Sequence, residues 1–214
     1  MYTLFWSTRT AAFMPDAVLS LAGVAFDRHL VKRTNGRVDD TEFSKISPMQ
    51  QIPALLMPDG SVLCESVAIS LAVAERHPEA GVLPPAGTQD RALVYRWMMH
   101  MVCNIYEPDL RYSYSDRYTT DPNGQQGIKQ ASAERMDRSF DVVEAELKDG
   151  PWFLGDTMTV LDIHLAAYAC WHFDTPSLLQ RTPKIAGICT NIRKHAVVGP
   201  LFELYNMRDL DFLA

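Results

Sequence analysis

Ile46-Ser47-Pro48-Met49-Gln50-Gln51-Ile52-Pro53-Ala54-Leu55 is the stretch from which the N-terminal half can be read outward. Proline has no N–H for a ladder, so Pro53 belongs at a strand start or an edge. Ala54–Met57 then reads as one strand and Ser61–Cys64 as its partner, joined by Pro58-Asp59-Gly60 as a hairpin turn. The next segment is Leu63-Cys64-Glu65-Ser66-Val67-Ala68-Ile69. Ser66 is a residue type suited to an N-cap, and a helix is predicted from there to His77, with Pro78 beyond its end. Upstream, Tyr2–Trp6 is a short apolar and aromatic run with the character of a buried strand. Ser7-Thr8-Arg9-Thr10 is a polar loop. A helix follows from about Ala12 to Leu21, with Pro15 in its first turn and Gly23 as its stop. Ala25–Val31 reads as a second strand, and Asn35-Gly36 is a turn signal within a polar segment. The order is β-α-β, an irregular helical piece, then β-β-α. That order fits a small sheet with helices on its faces, an α/β domain.

Pro78, Gly81, Pro84, Pro85 and Gly87 mark a break in the chain. The linker is placed at 81–87, between an α/β domain over 1–80 and an all-helical domain over 88–214. Asp90–Tyr106 is apolar nearly all round, as an interior helix is. Pro108 should kink or interrupt it. Ile128, Met136, Phe140, Val143 and Leu147 lie on one stripe at helical spacing, and Gly150-Pro151 ends that helix. Val160–Phe173 is another apolar helix, and two shorter ones are expected between Pro183 and Met207. Thr159 and Asp162 have the spacing of a capping box, which is a folding feature.

Charge narrows the partners. The 214 residues carry a formal net charge of −6 with no Lys/Arg cluster. Nucleic acid and anionic membrane surfaces are therefore poor partners. No signal peptide and no run long enough to span a bilayer is present, so a cytoplasmic location is expected. Cys64, Cys103, Cys170 and Cys189 lie far apart, in no metal or C-x-x-C spacing, and are read as reduced. His29, His77, His100, His164, His172 and His195 show no ligand spacing. His164, on an apolar helix, is read as a satisfied core histidine.

The segments Ile46–Leu55 and Leu63–Ile69 resemble the glutathione-binding half of the cytosolic glutathione transferases. In that family an N-P-x-G-x-V/I-P-A-L segment is followed at similar spacing by E/D-S-x-A-I. Gly155-x-x-x-Thr159-Val160-Leu161-Asp162-Ile163 resembles the family's second hallmark, in the helical half. The resemblance implies a thioredoxin-like N-terminal domain, an all-α C-terminal domain, glutathione as co-substrate, a small electrophile as second substrate, and a homodimer. It implies a cis bond at Ile52-Pro53, with the backbone of Ile52 turned outward to pair with the cysteinyl part of the tripeptide. Glu65 and Ser66 would anchor the γ-glutamyl end at a helix N-terminus, where N–H groups and the dipole favour a carboxylate. Ser66 can serve there and cap its helix as well. Gln50 or Gln51 would meet the glycyl end. Gln50 departs from the family's glycine, and Ser47 stands where Asn is frequent.

Transfer chemistry needs the thiolate. A thiol of pKa about 8.5 is mostly protonated at neutral pH, and lowering it by two units takes roughly 2.7 kcal/mol. The family places a Tyr, Ser or Cys in the loop after the first strand. Here Ser7 and Thr10 are the hydroxyl candidates. Arg9, or backbone N–H groups, are the alternative, and helix capping alone is the plainer role for all of them. The pattern resembles bacterial proteins with a serine or threonine loop more than the tyrosine type. Ala11 and Ala12 stand where redox relatives carry cysteine, which argues against a glutathionylated-cysteine mechanism. On the long helix and its continuation, Trp97, Met101, Asn104, Ile105, Arg111 and Tyr112 are the residues set toward the second substrate, with core packing as the plainer role for the apolar ones. Two other readings stand beside a transferase: a non-catalytic glutathione-binding protein of the same fold, and a glutathione-dependent peroxidase or isomerase.

Overall fold

The computed structural model describes residues 1–213. They divide into two compact units, Met1–Pro84 with Ile192–Arg208, and Pro85–Asn191 with Asp209–Leu213.

The first unit opens with β1 (Tyr2–Trp6), α1 (Phe13–Leu21) and β2 (Phe26–Leu30). A two-residue pair follows, β3 (Arg33–Thr34) and β4 (Arg37–Val38), turning at Asn35-Gly36. Then come α2 (Phe43–Ile46), β5 (Ala54–Leu56), β6 (Val62–Cys64) and α3 (Ser66–Arg76). The main sheet has the order β2-β1-β5-β6. β1 runs parallel to β2 and antiparallel to β5, and β5 is antiparallel to β6. Alternation along β1 assigns its side chains to two faces. Phe5 joins Val31, Phe43 and Ala54 in one cluster, against which Ile46 and Ile52 pack. α1 and α3 pack on each other, α1 burying Phe13, Met14, Ala17 and Val18, and α3 burying Ile69 and Val73. This is the thioredoxin-like arrangement expected for the N-terminal half.

The second unit contains α4 (Gln89–Met101), α5 (Glu107–Ser113), α6 (Gln125–Glu146), α7 (Val160–Trp171) and α8 (Thr175–Arg181). α9 (Pro183–Lys194) and α10 (Leu201–Leu204) complete the chain's helices of four residues or more among the described residues. Pro108 does not break the long helix. Val102–Tyr106 forms a π-turn between α4 and α5, in which the Glu107 N–H reaches back five residues to the Val102 carbonyl. In an α-turn the Pro108 ring would strike the Asn104 carbonyl, and the wider turn removes that clash. The Asn104 side chain donates to the His100 carbonyl at 2.9 Å. α8 was not expected from the sequence. It starts at Asp174, whose carboxylate accepts the Ser177 N–H at 3.2 Å.

The Thr159–Asp162 capping box is present as the spacing predicts. Asp162 is fully buried and accepts N–H bonds from Phe153 and Thr159, each at 2.7 Å. Burial nevertheless pushes its carboxyl up to about 6. His164 is a core histidine, with Nδ1 at 3.1 Å from the Tyr168 hydroxyl, and burial pushes it down to about 3. No helix among the described residues is long and apolar enough to cross a membrane.

Candidate functional site

Sheet register brings the candidate residues of the first unit to one end. β1 pairs Phe5 with Ala54, and β5 pairs Ala54 with Cys64. Trp6, Pro53 and Glu65 are the next residues of the three strands at that end. Ser7, Ile52 and Ser66 each lie two residues beyond the paired strand ends Phe5, Ala54 and Cys64. Three segments far apart in sequence therefore converge: the loop after β1, the start of β5 and the start of α3.

Each segment has a defined backbone. Ile52-Pro53 is cis. Ile52 is half-buried, its side chain held by the cluster around Phe5. Gln50 has φ of 53° and Glu65 has φ of 68° with ψ of 114°. Only glycine adopts positive φ without penalty, which explains why a glycine suits the position of Gln50. Ser47 organises that loop, its hydroxyl lying within 3.3 Å of both the N–H and the carbonyl of Gln51. Gln50 and Gln51 are exposed. At α3 the cap residue is Glu65, and Ser66 is the first helical residue, one position later than its type suggested. Among the described residues no side chain caps this helix, so its first N–H groups have no side-chain partner there. Ser66 is buried, while Glu65 is exposed.

In the loop after β1, Ser7 and Thr10 are both buried. The Thr10 hydroxyl donates to the Ser7 carbonyl at 2.7 Å. The Ser7 hydroxyl has no hydrogen-bond partner among the described residues. Among the described residues no side chain caps α1, so helix capping is not what these hydroxyls do. Arg9 sits at φ of 50°, and its N–H donates to the Tyr205 carbonyl at 2.7 Å. Arg33 donates to the Thr8 carbonyl at 2.7 Å. Neither Tyr205 nor Arg33 was found from the sequence. Both act across long separations that no local pattern encodes.

The candidates of the second unit are differently placed. Trp97, Met101 and Ile105 are fully buried. Trp97 lies against His100 and Phe153, with the Arg96 guanidinium 3.7 Å over its ring. Asn104 accepts a bond from Arg135 at 2.7 Å. Arg111 is paired with Glu107 at 2.6 Å, and Tyr112 stacks on Phe173 at 5.0 Å. Arg111 borders a cavity of about 560 Å³ that Pro108, Tyr118, Ser132, Arg135 and Arg138 also line. Burial raises the Tyr118 hydroxyl and lowers His100. No group of three metal-ligating side chains occurs among the described residues.

Comparison with known proteins matches this architecture. Residues 12–76 match the glutathione S-transferase N-terminal domain, and residues 103–192 match the glutathione S-transferase C-terminal domain. The chain belongs to the glutathione S-transferase superfamily. Among curated relatives, it is 25% identical over 126 residues to the uncharacterized GST-like protein YncG of Escherichia coli K12, a match covering 59% of this chain and 60% of that one. It is 23% identical over 184 residues to glutathione S-transferase GstA of Escherichia coli O157:H7, covering 86% and 88%. Among solved structures, a glutathione transferase homolog from Sulfitobacter, described with bound glutathione, superposes with a TM-score of 0.85 at 20% identity, covering 95% of this chain and 98% of that one.

Proposed function

We propose that the chain is a glutathione transferase. The observation that carries this reading is the convergence, through the β1-β5-β6 register, of the Ser7–Thr10 loop, Ile52 and the start of α3 without a side-chain cap. Glutathione lies along Ile52, whose backbone N–H and carbonyl pair strand-like with the cysteinyl residue. The γ-glutamyl carboxylate takes the Ser66 hydroxyl and the N–H groups at the start of α3, and Glu65 takes the amino group. Gln50 and Gln51 meet the glycyl carboxylate. This places the sulfur toward the loop after β1.

Of the loop hydroxyls, Thr10 has committed its only proton to the Ser7 carbonyl. Ser7 has its proton available, so Ser7 is assigned as donor to the thiolate and Thr10 as the residue that fixes the loop. Glutathione bound in the Sulfitobacter homolog, and the transferase named as GstA, support the transferase reading. The thiolate sulfur then forms a C–S bond at an electrophilic carbon. A leaving group departs with its electron pair, or in conjugate addition the carbanion is protonated. Rate comes from thiolate formation and positioning. Family likeness also supports a homodimer.

The test is absorbance near 240 nm with glutathione bound, titrated across pH. The bound thiol is expected to ionise at least one unit below the free thiol, and Ser7→Ala is expected to remove most of that shift. A bound thiol that titrates like the free one defeats the enzyme and leaves a glutathione-binding protein. Loss of the shift in Thr10→Ala but not in Ser7→Ala would reverse their roles. Ser66→Ala checks the anchor separately, by weakening glutathione affinity.

A further inference from the structure

We propose that Tyr205 is a positioning residue that braces the Ser7–Thr10 loop. The proposal rests on the transferase reading for its catalytic consequence, and on contacts within the first unit for its geometry. Tyr205 touches the loop at its start, its middle and its far end. Its ring lies 4.9 Å from that of Trp6, the last residue of β1. Its carbonyl accepts the Arg9 N–H at 2.7 Å. Its ring meets Phe13, the first residue of α1, edge-on at 5.7 Å.

The brace is itself fixed. The Tyr205 hydroxyl donates to Asp16 Oδ2 at 2.9 Å. Asp16 is fully buried, and its carboxylate also accepts Arg28 Nε at 2.6 Å, Arg28 Nη2 at 2.8 Å and the Ser20 hydroxyl at 3.1 Å. Four donors fill the four acceptor positions of a carboxylate. Displacing the Tyr205 ring would strip a buried charge of one donor, which is costly in a dry interior. Phe202 packs on Phe13 at 4.7 Å and holds the same segment from α10. Arg9 occupies a positive φ that a non-glycine residue leaves readily unless held. The bond to Tyr205 holds it, and with it the turn that aims Ser7 and Thr10. A hydroxyl stabilises a thiolate only when its position is kept to within about 0.5 Å.

Tyr205→Phe tests this in the full chain. It keeps the ring and the carbonyl and deletes only the hydroxyl, one of the four donors to Asp16. Amide hydrogen exchange at Arg9 and Thr10 is expected to rise at least tenfold while that of Leu4 and Phe5 stays unchanged. The thiol pKa of bound glutathione is expected to rise by about one unit, a tenfold loss of thiolate at fixed pH. kcat toward an activated chloronitrobenzene should fall by a similar factor. Glutathione affinity should change less than threefold, because Ile52 and Ser66 are untouched. A purely structural Tyr205 would lower the unfolding midpoint and leave loop exchange and thiol pKa where they were, which overturns the proposal. If Tyr205→Phe does not fold, Arg28→Gln decides. It loosens Asp16 from β2 with Tyr205 intact, and unchanged exchange at Arg9 overturns the brace. If the wild-type chain binds glutathione without lowering its thiol pKa, the transferase reading fails, while the exchange result still decides whether Tyr205 holds the loop.

Discussion

Glu65→Gly separates folding from binding at a single position. Glu65 sits at φ of 68° and ψ of 114°, a region that residues with a Cβ avoid. Such conformations cost about 1–3 kcal/mol each. Glycine adopts them freely, against roughly 0.5–1 kcal/mol of additional chain entropy lost on folding. The Glu65 side chain is exposed and caps nothing at α3, so its removal takes away no described hydrogen bond. The balance favours the variant by about 1 kcal/mol. With a urea slope of roughly 3 kcal/mol per molar, the unfolding midpoint should rise by about 0.3 M. Binding should move the other way. Losing one charge-assisted bond to the glutathione amino group is worth about 1.5 kcal/mol, or roughly tenfold in Kd by calorimetry. A lower urea midpoint would show that the Glu65 backbone stores no strain. An unchanged Kd would remove Glu65 from the anchor.

Two further outcomes concern stability. His164 is buried neutral, its folded pKa pushed down to about 3 from an ordinary 6.5. Protonation therefore favours the unfolded chain, and the stability it contributes above pH 6.5 is lost as pH falls toward 3, at up to roughly 1.4 kcal/mol per unit. Asp162, raised to about 6, works with the opposite sign over part of that window, since the folded state holds its proton more tightly. His164→Gln should thus flatten the acid limb relative to wild type, and identical slopes between pH 6 and 4 would contradict a neutral buried imidazole. Gly150→Ala would place a Cβ 2.6 Å from the Gly155 carbonyl oxygen at φ of 134°. A loss of about 3 kcal/mol, or roughly 6–12 °C in Tm by calorimetry, is expected, and an unchanged Tm would show that the Trp152–Gly155 bridge gives way freely.

Much of the fold was legible because its signals are local. Pro58-Asp59-Gly60, Gly23, Asn35-Gly36 and Pro78 punctuate the N-terminal half where the structure turns. The Thr159–Asp162 box was readable because both partners lie within one helical turn. Two features were read less completely. Pro108 signalled an interruption, but whether a helix breaks or widens depends on what receives the freed carbonyls, here in part the Asn104 side chain. The short helix from Thr175 was not read, because the apolar run that precedes it hid the Asp174 cap.

The sequence by itself determined the superfamily and the two halves, and it singled out Ile52, Pro53, Glu65 and Ser66 as candidates, because each rests on spacing along a few neighbouring positions. Tertiary structure alone decided how the loop after β1 is held. The bonds that fix it run from Thr8 to Arg33, from Arg9 to Tyr205 and from Tyr205 to Asp16. Those partners meet only once the sheet has closed and Ile192–Arg208 has packed with the first unit. A hydrogen bond between residues nearly two hundred positions apart leaves no periodicity in the chain, so only the folded molecule could display it.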